Sequence, residues 1–573
     1  MNKPHLLVEI SSLLEKMKLP TDLSSFITDT NFKALLEVFR SIKAFSHELS
    51  TDLPAATSSH TLHLLRKLKS AYSLSASQLL SLLSQLVAEI LPDKTKAWEN
   101  FSTAVALHPE SQWSIIQLLL TYDQEDTISF LLAHLEKEDP HALYPTSMYR
   151  TSSGKVNSTA DGKHIEAVMT TSTMTEIQII EGVLHPDNLI LRNLYYPLGK
   201  CVCVIDANVH EHYGEELVAY FEKHDITLKM LVYRAMEVDK GIHTVESLLA
   251  DFKEIGVSRQ EPVLIVGGGV ITDIGGLACA LYHRGTPYVM LATSIVSGID
   301  AGPSPRTCCD GFGFKNLFGA YHAPVLTLTD RTFFKTLRTG WIRHGVAEII
   351  KMATVKDATL FELLEETGVD LVYSQFGVDT EDTHLSDNSQ RILALSMQSY
   401  VEAEYGNLYE THQCRPHAYG HTWSPGYEIP SGMLHGHAVS CGMGFGAYLS
   451  YLQGWISREE CDRICQLISK FELSLWHPIL DDTTLIYKGQ LKIIEKRGGH
   501  LVAPLPKGRI GECGYLNTLS FEALKEAMEG YKTLCQTYPR EGLGIEPHCH
   551  EVGLEDPSTV GHSLKDNATL QKA

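Results

Sequence analysis

Three side chains in the second half of the chain are of the types that hold a divalent cation: Glu348, His421 and His435. Glu348 lies in Gly345-Val346-Ala347-Glu348-Ile349-Ile350-Lys351, where Glu348 and Lys351, three apart, share one helix face. A surface ion pair is the plainer reading of those two. Yet Val346, Ala347, Ile349, Ile350 and Met352 make the helix apolar nearly all round, and a buried carboxylate needs a cation or a metal beside it. His421 follows Gly420, and His435 precedes Gly436. A single histidine beside glycine is most often structural. Two such loops with a buried glutamate fit a site of three protein ligands with open positions, suited to Lewis-acid activation of substrate oxygens. His437 is a candidate partner for one of these ligands.

A second chemistry is written in Gly267-Gly268-Gly269, which follows the apolar run Pro262–Val266 and precedes a helical pattern. Glycines at such a corner let backbone amides approach a pyrophosphate, with the helix N-terminus directed at it. Asp273 is expected in the first turn of that helix. The register is not Gly-x-Gly-x-x-Gly, so a tight turn is the plainer reading of the three glycines alone. Other strand ends carry polar groups too: Asp206 and Asn208 after Val202–Ile205, Glu237 and Lys240 after Leu228–Tyr233, Thr293 and Ser294 after Val289–Leu291. Each by itself is accounted for by a helix cap or a turn; together they suit a nucleotide at the carboxyl edge of a parallel sheet. Lys315 and Asn316, after a loop of small residues, and Arg306, Arg343 and Arg497 are candidates for a substrate phosphate or hydroxyl. Spacing does not choose among them.

The elements that must position these groups divide the 573 residues into five stretches. Residues 1–140 read as helices without evident chemistry, and 141–164, rich in Ser, Thr and Gly, as a linker or surface loop. From 165 to 330 short β-type runs (Ile177–Ile180, Val202–Ile205, Val263–Val266, Tyr288–Leu291, Val325–Leu328) alternate with helical segments, which implies a parallel sheet covered by helices. Residues 331–545 read as mainly helical and 546–573 as a loose tail. In that tail His548-Cys549-His550 is taken as incidental rather than a metal motif. The fold class is thus α/β plus α, with an additional helical segment in front.

Composition excludes several classes. A formal net charge of -21 disfavours a nucleic-acid partner, while leaving room for a phosphorylated substrate held by a few lysines. No apolar run approaches the roughly 18 residues of a membrane span, and no leader is legible at the N-terminus. The 12 cysteines lack framework spacing and read as reduced thiols of a cytoplasmic protein.

Residues 165–545 resemble the sugar phosphate cyclases, the family founded on 3-dehydroquinate synthase. The resemblance is carried by Gly267–Asp273, Lys315–His322, Ala347–Lys351 and Tyr419–Thr422, in that order. It implies a Rossmann-like NAD-binding domain (165–330), a helical metal-binding domain (331–545) and a homodimer. By this resemblance Glu348, His421 and His435 are ligands of one zinc or cobalt ion. Asp206, Asn208, Glu237, Lys240, Gly268, Gly269, Asp273, Thr293, Ser294, Asp300 and Lys315 fall on NAD-contact positions. Asn316, Lys351, Arg306 and Arg497 fall on substrate positions. The implied reaction oxidises a carbinol of a phosphorylated sugar, eliminates phosphate, returns the hydride and closes the ring by an intramolecular aldol step. Lys351 would hold developing negative charge.

Departures from the pattern narrow the branch. Cys414 and Ala418 stand where 3-dehydroquinate synthase carries an arginine and an asparagine for a carboxylate and nearby hydroxyls, with Arg415 one place off. Pro425 replaces a histidine. Arg306 and Ser399 stand at lysine positions. The stretch Ala418–Pro425, with Tyr538-Pro539-Arg540, resembles the branch that cyclises sedoheptulose 7-phosphate to valiolone-type cyclitols or demethyl-4-deoxygadusol. The two prolines of Asp300–Arg306 favour a 2-epi-valiolone or 2-epi-5-epi-valiolone type product. The alternatives are a demethyl-4-deoxygadusol synthase, a 3-dehydroquinate synthase, a metal-dependent polyol dehydrogenase and a non-catalytic descendant.

Overall fold

A computed structural model describes residues 150–553 except 159, 161, 162 and 313. The expected helices of 1–140 lie outside the described residues, as does most of the final tail. The chain forms two compact units. One contains, among described residues, the antiparallel hairpin of β1 (Arg150–Ser158) and β2 (Ile165–Thr173) and the segments Pro186–Cys201 and Tyr220–Thr227. The hairpin corrects the loop expected before residue 164: alternating Ser152, Gly154, Val156 and Ser158 pair in register with the β-prone Ile165–Thr173, so composition misled where pairing decided.

The other unit is built on a six-stranded sheet in the order β3-β10-β7-β6-β4-β5. These strands are β3 (Glu176–Ile180), β4 (Lys200–Asp206), β5 (Thr227–Tyr233), β6 (Val263–Gly267), β7 (Tyr288–Ala292) and β10 (Leu326–Asp330). The pairs β4/β6, β6/β7 and β7/β10 are parallel. Strands β6, β7 and β10 are buried along their length, β6 and β7 as the continuous apolar runs expected inside a parallel sheet. The order reverses at β4, whose neighbours are β5 and β6, so the carboxyl ends of β4 and β6 flank the crevice where ligands bind in such sheets. A second hairpin, β8 (Arg306–Gly311) with β9 (Phe314–Tyr321), carries Lys315 and Asn316 on its second strand, just after the hairpin turn.

After the sheet the chain is helical. Helix Thr339–Val355 is buried at nearly every position, the outcome its all-round apolar sequence demanded. Around it pack helices Ala358–Thr367, Thr383–Tyr405 and His435–Leu452 and a hairpin of β11 (Ala503–Lys507) and β12 (Arg509–Leu516). The start of the expected tail is docked: Leu434 N–H donates to Pro547 O, Glu546 pairs with Arg343 and Val552 is buried. All 12 cysteines are free. Among the described residues no helix is long and apolar enough to cross a membrane.

Candidate metal and nucleotide site

Two close backbone approaches bring the cation-type residues together. A Cβ on Gly436 would lie 2.4 Å from His344 O, so only glycine lets helix His435–Leu452 start against the helix of Glu348. Gly420 adopts φ +81°, and a Cβ on Gly442 would meet its carbonyl at 2.3 Å. The glycines beside the two histidines are there to seat the histidines' backbone. The result is a cluster in which Glu348, His421 and His435 each offer one ligand atom within 4.8 Å of the others.

The ring orientations are set from behind. His421 Nδ1 lies 3.1 Å from Tyr419 O, and His435 Nδ1 lies 3.0 Å from Glu428 Oε2. Each Nδ1–H therefore donates outward, which turns the two Nε2 atoms on each other at 3.1 Å and toward Glu348 Oε1, at 3.8 and 3.4 Å. Two imidazole lone pairs at that distance need a proton or a cation between them. Glu348 Oε1 is buried with no hydrogen-bond partner, whereas its Oε2 accepts from Tyr400 at 2.8 Å and from Lys351. Burial opposes the charge on Glu348, but Lys351 and His421 hold its carboxyl well below the usual range. Burial and Lys351 push His421 down to about 3; against its own burial, His435 is raised to about 10 by Glu428 and Glu348. The pocket thus calls for positive charge at the Nε2 atoms. An orphaned carboxylate oxygen and two convergent nitrogens fit a divalent cation.

Glu428 was not singled out from the sequence. It is buried in helix Ser424–Ser431 and bonds Lys315 Nζ at 2.7 Å, and Lys315 also pairs with Glu237 at 2.9 Å. One chain of contacts therefore runs from His435 to the β8–β9 hairpin and on to the turn after β5. Nothing in Gly426-Tyr427-Glu428-Ile429 signalled this, because the partners are distant in sequence. Tyr400 and His344 were likewise missed.

At the sheet edge, Asp206 ends β4 and accepts from Asn208 N at 2.8 Å and Nδ2 at 3.2 Å. A Cβ at Gly267 would lie 2.4 Å from Ile271 and 3.0 Å from the Asp206 Cβ, so protein packing requires that glycine. Gly268 and Gly269 are different: a Cβ there would meet nothing closer than Ser294 at 3.6 Å and Ala301 at 3.8 Å. These are ordinary contacts, so protein packing does not demand glycine at these two positions, whose amides open helix Gly269–Leu281 at an end of the kind that binds a pyrophosphate. Asp273 falls in the second turn of that helix, not the first, and pairs with Lys240 at 2.6 Å. Lys240 also donates to Asn316 at 2.7 Å. Thr293 N–H donates to Gly267 O, and the Ser294 and Ser297 hydroxyls are 3.0 Å apart. Asp300 sits in a single π turn, Ser297–Ala301, its carboxyl raised by burial.

The arginines divide. Arg343 is removed from the candidates: it is buried between Glu472 and Glu546, at 2.7 and 2.8 Å, and holds the docked tail. His437 bonds Ser474 at 2.8 Å rather than a member of the cluster. Arg306 faces Glu404, Asp300 at 3.4 Å and Glu410 at 3.6 Å, so its charge is met by carboxylates of the chain itself. Arg497 donates to Leu501 O and Val502 O, and burial with the nearby Arg415 lowers it to about 10. Ser399 is buried in helix Thr383–Tyr405.

Profiles described as 3-dehydroquinate synthase N-terminal and C-terminal match residues 230–344 and 345–490. The chain is 37% identical over 373 residues to a demethyl-4-deoxygadusol synthase of Trichormus variabilis, covering 65% of this chain and 90% of that protein. The chain belongs to the sugar phosphate cyclase family. Within it, a 2-epi-5-epi-valiolone synthase of an Actinomyces species is 34% identical over 367 residues, 63% of this chain and 95% of that one. The solved structure of ValA, a 2-epi-5-epi-valiolone synthase from Streptomyces hygroscopicus subsp. jinggangensis with NAD+ and Zn2+ bound, superposes with a TM-score of 0.59 at 32% identity. It covers 63% of this chain and 98% of that one. These cyclases are of the branch that the stretch Ala418–Pro425 resembles.

Proposed function

We propose that this sugar phosphate cyclase converts sedoheptulose 7-phosphate to a C7 cyclitol, with loss of phosphate, using NAD and one zinc or cobalt ion. The observation that carries the reading is the orphaned Glu348 Oε1 facing the paired Nε2 atoms of His421 and His435, in a chain 32% identical to a synthase with NAD+ and Zn2+ bound. Glu348, His421 and His435 would hold the metal; Gly268 and Gly269, with Asp206, Asn208, Glu237, Lys240, Asp273, Thr293, Ser294, Asp300 and Lys315, would hold the dinucleotide. When bound, the two groups supply reversible hydride transfer and polarisation of the carbinol oxygen. The chain's own residues do the rest. Lys351, buried against Glu348 and 4.9 Å over the Tyr400 ring, stabilises negative charge as it forms. Asn316, fixed by Lys240, orients a substrate hydroxyl. Arg306 and Arg497 meet the anionic end, where a phosphate would compete with Glu410 for Arg306. The activity is that of a carbon–oxygen lyase in the cytoplasm, and the protein acts as a homodimer.

The absence of the arginine–asparagine pair at Cys414 and Ala418 supports a substrate without a carboxylate. The two-proline loop supports a product of the epi-valiolone class, while the 37% identity to a demethyl-4-deoxygadusol synthase supports that ring as the second reading. Incubation with sedoheptulose 7-phosphate, NAD and zinc or cobalt should release phosphate without net NADH. Net NADH without phosphate would instead identify a polyol dehydrogenase. Mass and NMR of the product decide between the rings.

A further inference from the structure

His417 is 7% exposed, and neither of its ring nitrogens has a hydrogen-bond partner. An imidazole buried in that state is costly, because both its donor and its acceptor have left water for nothing. It sits in the short turn Pro416–Ala418, packed against helix Thr339–Val355, helix Thr383–Tyr405 and β11. The charged and titratable groups that act on it are Arg306, Lys351, Arg415 and His421. Its turn thus packs on the helix that carries Glu348 and Lys351, beside Arg415 and four residues before His421. Burial first, then these cations, hold the ring well below its usual range, so it is neutral, with one N–H donor and one nitrogen acceptor. Its neighbours do not supply such a group. Arg415 is committed to Glu410 at 2.6 Å, and Ala418 has no polar atom.

We propose that His417 is a specificity-determining residue whose ring hydrogen-bonds a hydroxyl of the polyhydroxylated substrate. A neutral donor–acceptor pair suits a hydroxyl, which can both give and take a hydrogen bond, and brings no positive charge to compensate a buried carboxylate. This rests on the sedoheptulose 7-phosphate reading and adds to it a residue that selects a neutral polyol over a sugar acid.

The test uses the full chain loaded with NAD and zinc. His417→Leu should raise KM for sedoheptulose 7-phosphate, and its Kd by calorimetry, about tenfold, equivalent to about 1.4 kcal/mol. NAD affinity and zinc content should stay at wild-type values. Thermal stability should not fall, since no bond within the protein is lost, and His417→Gln should recover part of the affinity. An unchanged KM and Kd in His417→Leu would overturn the proposal. So would a variant that misfolds, loses zinc or loses NAD, since the ring would then be structural. A wild-type protein that neither binds nor turns over the sugar phosphate overturns the reading and this proposal together; an active wild type with an unaltered Leu variant overturns this proposal alone.

Discussion

At the residue scale, what sets the cluster is less its three inner side chains than the groups behind them. His435 keeps its Nε2 turned inward only because Glu428 takes its Nδ1–H, and Glu428 is itself held by Lys315. Glu428→Gln keeps the shape but removes the charge that favours this tautomer and anchors Lys315. Zinc affinity, followed by competition with a chromophoric chelator, should fall about 10- to 100-fold. An unchanged zinc affinity would show that Glu428 does not orient His435. Glu348 differs, because its inner oxygen has no other partner and its outer oxygen is already taken by Tyr400 and Lys351. Its sequence surroundings declared it, since an acid in an apolar helix must be neutralised; Glu428 and His417 declared nothing.

At the element scale, the site depends on how closely two helices meet. Gly436 permits helix His435–Leu452 to start against His344 O, and a methyl group there would push the helix away by the shortfall of a 2.4 Å contact with a backbone atom that cannot yield. Gly436→Ala should cost about 1–3 kcal/mol of stability and lower zinc occupancy in step. Chemical denaturation and metal analysis of the same preparation check both, and a fully zinc-loaded variant of wild-type stability would refute the role given to this approach. The β8–β9 hairpin shows the converse. No strand was expected there, yet it is the pairing of Arg306–Gly311 with Phe314–Tyr321 that carries Lys315 to Glu428 and Asn316 to Lys240.

At the scale of the whole molecule, the chain carries a net charge of -21, and the cations of the site are nearly all met by internal carboxylates: Lys240 by Asp273, Lys315 by Glu237 and Glu428, Arg306 by Glu404. A phosphate entering the proposed site would therefore have to exchange with these carboxylates rather than meet bare positive charge. A metal held by residues from helix Thr339–Val355, the His421 loop and helix His435–Leu452 would tie three separate segments together. Removing it with a chelator should abolish phosphate release and lower the melting temperature, and zinc or cobalt should restore both. Phosphate release that survives complete metal removal would exclude the metal role.

The sequence by itself determined the sheet and the buried helix. Runs such as Val263–Val266 and the all-round apolar segment about Glu348 leave no other way to shield so much hydrocarbon from water. Order along the chain also identified Glu348, His421 and His435 as cation-type residues and Gly267–Gly269 as a corner. Only the tertiary structure decided which of the three glycines packing demands and which it does not. Only it separated Arg343 from the site and docked residues 546–553 onto the helical domain. Only it, too, brought Glu428 and His417 to the centre, because a hydrogen-bond partner, or the lack of one, is a property of folded neighbours and leaves no trace in local periodicity.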